Sequence, residues 1–445
     1  MFGLFKKNKV KNMFEGAQST RRLLSWSPSN SGPKRQSYQL ATLRRRARDL
    51  YRNNAIARAA IDKLVADTLS GGVGCRPNPE LSKQVRDRLV SAWEDWSLEC
   101  DFDGLNDFYG LQASAMRAML IDGECLILIE PSNNPAAPIE LRLLEADHLP
   151  YLTDPARNIV DGIEFDANGR RTAYHLYPMH PGDNDNLKTI RIPASKVVHL
   201  FQAKRPGQIR GESILTPVLV RLKSLDEFDD AVLERQRLAN LFVGFIRKPE
   251  VGFNNGDVTT DEEPPLINME PGTMQELLPG EDITFASPPN QEGYENFTRE
   301  QLRRISSALG IPYFLISGDY TQVNDRTARV SMTAYRRQVE QLIKGVFVPI
   351  FVRPVRIEFI KRAVLTGLLP SHVTLKSLMK TDYIPEAWAY INPVQEVSAE
   401  VDAINAGLKS RSESLLQRGR DIEEVDANRA KDLERETQLG LKDHV

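Results

Sequence analysis

The chain has 445 residues, room for about three domains by length alone, and its 41% hydrophobic and 27% charged residues suit a sizeable buried core. Fifty-eight Lys and Arg against 60 Asp and Glu leave a formal charge of −2, a balance that excludes a general nucleic-acid coat. The apolar runs, such as 125–129 and 345–352, fall far short of the ~20 residues a membrane span needs, and residues 1–14 lack the continuous apolar stretch of a secretory signal.

Residues 1–38 are rich in Lys, Asn, Ser and Pro and read as a disordered basic arm; the first 52 residues hold 13 Lys and Arg against Glu15 and Asp49 alone. A helical period then runs over 39–69 and stops at Ser70-Gly71-Gly72. A second amphipathic helix is expected over 81–96, where Trp93 and Trp96 sit one turn apart and read as packing residues, and a third over 105–121. Asp122-Gly123 opens a strand at 124–130 whose unbroken apolar run suits a buried sheet position. Strands follow at 139–144, 158–165, 171–177 and 196–201, with Asn168-Gly169 as a hairpin signal. The first 205 residues thus predict helices packed on an antiparallel sheet, an α+β domain, in a chain that is mostly helical overall.

A polar loop, 205–213, precedes a helix that begins near Thr216-Pro217 and reaches about Leu241. Leu215, Val218, Leu219, Leu222, Leu225 and Phe228 form its apolar stripe; over ~25 unbroken residues it would span ~38 Å. The next stretch, 249–298, contains 11 acids, no Lys or Arg and seven prolines. The prolines exclude a long helix, so its short apolar pieces read as small strands in an exposed acidic module, with a solvated linker as the ordinary alternative. A helix over 297–309 is stopped by Gly310-Ile311-Pro312. A polar segment, 317–326, separates it from a long helix over 327–347, and Pro349 and Pro354 bound the next helical piece. The last fifty residues read as helices broken at Gly407 and Gly419.

No catalytic or metal-binding motif emerges. Cys75, Cys100 and Cys125 form no CxxC pair and no disulfide framework, which suits a reducing compartment, and the six histidines include no HExxH. There is no GxxxxGK[ST] phosphate loop and no GxSxG. No catalytic residue, metal or cofactor is assigned. A helix that leads out to a proline-rich acidic module and returns by another helix describes a projecting arm, whose apolar stripes need partners; a closed ring of copies supplies them.

Several stretches in fixed order give the chain its resemblance to a known family, the lambda-type bacteriophage portal proteins. They are Ile121-Asp122-Gly123-Glu124, His199-Leu200-Phe201, Arg205 to Ser213, Met269-Glu270-Pro271-Gly272, Leu309-Gly310-Ile311-Pro312-Tyr313, Asp382-Tyr383-Ile384 and Ala406-Gly407-Leu408-Lys409-Ser410. Asn392 stands before Pro393 where the pattern has an acid. The resemblance implies a portal-type α+β fold with wing, stem, clip and crown, assembled as a ring, usually of twelve subunits, at a capsid vertex. Double-stranded DNA is pumped in through such a ring by a separate terminase and leaves through it at infection.

Carried onto this chain, the family parts fall in order: the basic arm at 1–38, the wing at 39–205, a stem helix at 206–241 and the acidic clip at 242–296. A second stem helix follows at 297–312, a tunnel loop at 313–326, a wing or tunnel helix at 327–380 and a helical crown at 381–445. Implied partners are other copies of the chain, the terminase large subunit, head-completion or tail adaptor proteins, a major capsid or scaffold protein, and DNA without sequence specificity; no membrane is involved. The implied location is the virion's portal vertex, after assembly in the host cytoplasm. A duplex must slide, so sparse basic rings are expected instead of a dense basic lining. Arg326, Arg329, Arg221 and Lys223 are the candidates, with Asn324 and Gln322 as neutral phosphate donors; the ordinary alternative for each is a solvated or salt-bridged side chain. Asp257, Asp261, Glu262, Glu263 and Glu270 are candidate docking residues of the acidic module. Two other classes stand beside this reading: a DNA-acting enzyme, and a scaffold or adaptor ring with no channel.

Overall fold

The computed structural model describes residue 32 and residues 37–132, 134, 137–183, 188–241, 245–247, 282–284, 293–321, 323–420 and 422–441. The basic arm up to residue 36 (residue 32 apart), all five acidic docking candidates and Gln322 lie outside the described residues.

The expected first helix is two helices, α1 (Ser37–Asn53) and α2 (Ala55–Leu69). Asn54 divides them. Its backbone is extended and its Oδ1 accepts from the Ala57 amide at 2.7 Å, a side-chain cap that ends one helix and starts the next. β1 (Val73–Pro77), α3 (Lys83–Glu99) and α4 (Phe108–Asp122) follow. Gly123, at φ 92°, closes α4 in the left-handed region and turns the chain into β2 (Glu124–Pro131).

The strand region forms two sheets, not the single one expected. β2 pairs antiparallel with β3 (Ile139–Glu145) and β8 (Val197–Phe201). β4 (Ile159–Val160), β5 (Ile163–Phe165), β6 (Arg171–Leu176) and β7 (Ile190–Pro193) form a separate antiparallel meander. The apolar run of β2 explains the division, because successive side chains point to opposite faces. Cys125, Ile127 and Ile129 join the main core. Leu126 and Leu128 join a second cluster with Leu149, Ile163, Tyr174 and Leu176. A strand buried on both faces needs cover on both, and the meander supplies the second.

α5 (Leu219–Leu241) leads out, and α6 (Tyr294–Leu309) returns beside it. Phe228 packs on Tyr294 and Phe297, while Arg221 bonds Gln301, so the helices run antiparallel. Between them β9 (Phe245–Arg247) pairs with β10 (Asp282–Thr284). Beyond the short α7 (Tyr313–Ser317), α8 (Asp325–Leu342) does not end near Pro349. It widens into a π-helical segment, Ile343–Val352, and continues as α9 (Arg353–Leu365), with helical backbone angles at both joins. Pro349 cannot donate to the regular ladder, and the wider turns around it carry the helix past the residue expected to stop it.

α10 (Leu375–Met379) precedes β11 (Thr381–Pro385), which pairs with the distant β1. α11 (Pro393–Asn405), α12 (Arg411–Gln417) and α13 (Ile422–Gln438) complete the chain, with Gly407 and Gly419 at positive φ in the two breaks. The main core centres on Trp93, Trp96, Phe108, Phe351 and Phe359, with Trp93 and Trp96 centroids 4.5 Å apart. The Trp96 indole donates to the Ile139 carbonyl at 2.8 Å, satisfying its one polar atom in the interior.

Candidate functional site

Three of the stretches that carry the family resemblance, one of them some 75 residues from the other two, meet at one buried carboxylate. Glu124 opens β2 and is fully buried. Its Oε1 accepts from Arg44 Nη2 at 2.9 Å and from Arg210 Nε and Nη2 at 2.8 and 2.5 Å. Its Oε2 accepts from the Gly211 amide at 2.8 Å and lies 3.1 Å from His199 Nε2. Arg210 spends further donors on the carbonyls of Asp161 and Ala146 and stacks on Tyr151. Burial opposes the charge of Glu124, but Arg210, His199 and Arg44 together hold its pKa well below the ordinary value. Burial lowers His199 to about 4, so near neutral pH it is an uncharged ring donating Nε2–H to Glu124.

The glycines in these stretches have a steric cause. A Cβ on Gly211 would stand 2.0 Å from the Gly123 carbonyl oxygen, and one on Gly123 would meet the Glu212 backbone at 2.4 Å. Two backbone segments cross there in direct contact, which only glycine allows. The crossing delivers the Gly211 amide to Glu124 and fixes the approach to α5. Sequence reading took Glu124 only as the start of a strand; the signal available was a charged residue at the edge of an apolar run, with an Arg and a His, Arg210 and His199, in the companion stretches.

Next to this junction, Arg48 Nη2 bridges Asp122, Glu145 and Asp147 at 2.5, 2.9 and 2.6 Å. Glu145, Asp147 and His180 bring ligand atoms within 4.8 Å of one another, a spacing a metal ion could use. The guanidinium of Arg48 already lies on both carboxylates, so a cation would have to displace one; the donor set is filled by charge of the same sign.

The channel candidates fall in two separate places. Asn324 caps α8, its Oδ1 accepting from the Thr327 amide at 2.8 Å. The loop before α8 is therefore shorter than 313–326, since α7 occupies its start and α8 begins at Asp325. Arg326 is exposed on the first turn of α8, with no hydrogen bond or ion pair to a described residue. Arg329, one turn on, is engaged by Asp325 at 3.0 Å and Gln395 at 3.3 Å. On α5, Arg221 bonds Gln301 and Lys223 pairs with Glu227 at 3.7 Å.

The fold is a mostly helical α+β assembly in which buried polar bonds join the three-stranded sheet to the segment that leads into α5. Residues 19–342 match the profile described as "Phage portal protein, lambda family". The probable portal protein of Halomonas phage phiHAP-1 is 24% identical, over 96% of this chain and 87% of its own. Portal protein B of Escherichia phage lambda is 21% identical, over 95% and 89%. Among solved structures, a chain from the neck of an empty GTA particle superposes with a TM-score of 0.50 at 16% identity, covering 86% of this chain and 93% of that one. The chain belongs to the lambda family of phage portal proteins. It is a structural component of the head-tail connection, not an enzyme.

Proposed function

We propose that copies of this chain close side by side, in the family's usual number of twelve, into a collar at one capsid vertex. Double-stranded DNA enters through its bore, driven by a separate terminase, and leaves by the same bore at infection. The observation that carries this is the likeness to portal proteins along 95–96% of the chain. In this reading 39–205 and 327–380 form the wing, α5 and α6 the stem, 242–296 the clip, the loop ending at Asn324 the tunnel loop and 381–445 the crown. The clip's 11 acids over 249–298 suit docking of the terminase large subunit, and afterwards of adaptor proteins, through complementary charge. The basic arm suits the capsid or scaffold protein.

Arg326 is the favoured channel residue because no described partner engages it; repeated around the collar it gives a ring of positive charge. Sparse rings of this kind hold phosphate without halting the duplex. Imaging of the purified protein tests the reading: rings with an axial opening of roughly 20 Å or more, enough for a duplex with grooves of known width, are expected. Monomers at every concentration, or rings closed by folded chain, would overturn it.

A further inference from the structure

The three carboxy-terminal helices bury almost none of their own side chains. α11 and α13 contain no buried residue, and α12 buries only Ser414. Point contacts join them to the body: Arg86 to Glu423 at 2.7 Å and Arg329 to Gln395 at 3.3 Å. Clefts of about 810 and 830 Å³ lie on either side of β11, between this unit and the rest.

Each outer helix carries an apolar seam turned to solvent. On α11, Val394, Val397 and Val401 recur at i, i+3 and i+7 and are 80%, 44% and 49% exposed. The side of α11 that faces its own chain instead carries Glu396, which caps Asn392, and Glu400, which binds Ser414 and Arg418. An amphipathic helix with its polar face inward has its apolar face assigned elsewhere. On α13 (Ile422–Gln438), Ala430, Leu433 and Thr437 recur at i, i+3 and i+7, with Leu433 61% exposed, and Leu439 and Leu441 stand 61% and 63% exposed just past the helix end. Each seam runs about 10 Å along its helix at 1.5 Å per residue. Charge matches too. Asp402 follows the valine seam, Arg429 precedes Leu433, and neither has an ion pair with a described residue.

We infer that the α11 seam of one copy packs against the α13 seam of the next, with Asp402 facing Arg429. The occupant is a second copy because the two seams differ. Like-with-like pairing of either seam makes a two-fold dimer and leaves the other bare, whereas α11 on α13 uses both in every copy and propagates around a closed ring. This contact rests on the ring reading above and names a surface that would close it.

The test uses the full chain carrying Val401→Cys or Leu433→Cys, each separately, then the two co-assembled and treated with a short bis-maleimide. Both positions are exposed, so neither substitution threatens folding, and unsubstituted rings control for Cys75, Cys100 and Cys125. Covalent 401–433 dimers from mixed rings, absent from rings of either variant alone, are expected. Asp402→Arg should lower the ring fraction at a fixed low concentration by about tenfold through like charges at the contact, and adding Arg429→Asp should restore it. Mixed rings of normal appearance that give no 401–433 link, or rings of one variant that link 401 to 401, overturn the contact and leave the portal reading intact. An unsubstituted chain that forms no ring removes the portal reading itself, and this contact with it.

Discussion

Around Glu124 the charged groups find their partners inside one copy: two arginines, a histidine and a backbone amide converge on a single carboxylate. In α11 and α13 the reverse holds, and apolar side chains stand in solvent with no residue buried. The first region is finished by its own chain, and its geometry is set before any assembly. The second is finished only by a neighbour. A subunit that must join a ring without changing its body is served by this division, since buried charge fixes one arrangement while exposed apolar seams stay available.

The sharpest way to break the comparison is at Glu124. Glu124→Gln keeps the shape and removes the charge, leaving Arg210 and Arg44 buried without an anion. A loss of about 3–5 kcal/mol is expected, read as a fall in the urea midpoint followed by tryptophan fluorescence. A loss under about 1 kcal/mol would show that the network is decorative. Gly211→Ala should lose a comparable amount for a different reason, because its Cβ would stand 2.0 Å from a carbonyl oxygen that belongs to backbone.

The next effect is a pH dependence. His199 has a folded pKa of about 4 against 6.5 in the unfolded chain, so between those values the unfolded state binds more protons. The stability conferred by its neutral ring is complete above pH 6.5 and drains as pH falls toward 4, by roughly 3 kcal/mol at about 1.4 kcal/mol per unit. Glu124, lowered below 4.5, loses its contribution only at more acid pH. His148 is also lowered by burial and contributes with the same sign, so the informative quantity is a difference. His199→Gln should flatten the stability profile between pH 6.5 and 4 relative to the parent; parallel profiles would refute the assignment.

A smaller effect of opposite sign is expected at Arg356. It is fully buried, its three guanidinium nitrogens have no hydrogen-bond acceptor among the described residues, and its charge rests on Trp93, with Cζ 4.3 Å from the ring centre. Cation–π attraction of about 2 kcal/mol offsets only part of the penalty for burying an unpaired charge. Arg356→Met should raise stability by about 1 kcal/mol; a clear loss in the thermal midpoint would mean the guanidinium is better held than the rings alone account for.

These sites differ in how far the sequence announces them. The strand run 124–130, the hairpin at Asn168-Gly169 and the breaks at Gly407 and Gly419 are local signals, and the structure has each of them. The split at Asn54 depends on one side chain choosing a cap, a choice that its bond to Asp226 on α5, 172 positions away, reinforces. β1 and β11 are short and pair across more than 300 residues, so neither carries a strong period of its own. Pro349 reads as a stop because the rule assumes regular α-helical bonding, which the π-helical turns relax. The stretches that marked the family contain Glu124, His199, Arg210 and Gly211, but their meaning is mutual contact, and contact is not visible in any one stretch.

The smallest effects belong to the exposed side, where they separate stability from assembly. Arg326→Ala removes a charge with no described partner, so the chain should unfold within about 0.5 kcal/mol of the parent. Arg329→Ala breaks the i, i+4 pair with Asp325 and the bond to Gln395, and should lose roughly 0.3–0.5 kcal/mol. Leu433→Glu, on a side chain 61% exposed, should likewise leave the unfolding midpoint of the dissociated chain nearly unchanged while reducing its entry into rings. The contrast with Glu124→Gln is then quantitative: one class of change acts on the subunit and the other only on its contacts. A large loss of subunit stability from Leu433→Glu would place α13 in the self-completed part of the molecule and erase the division between the two regions.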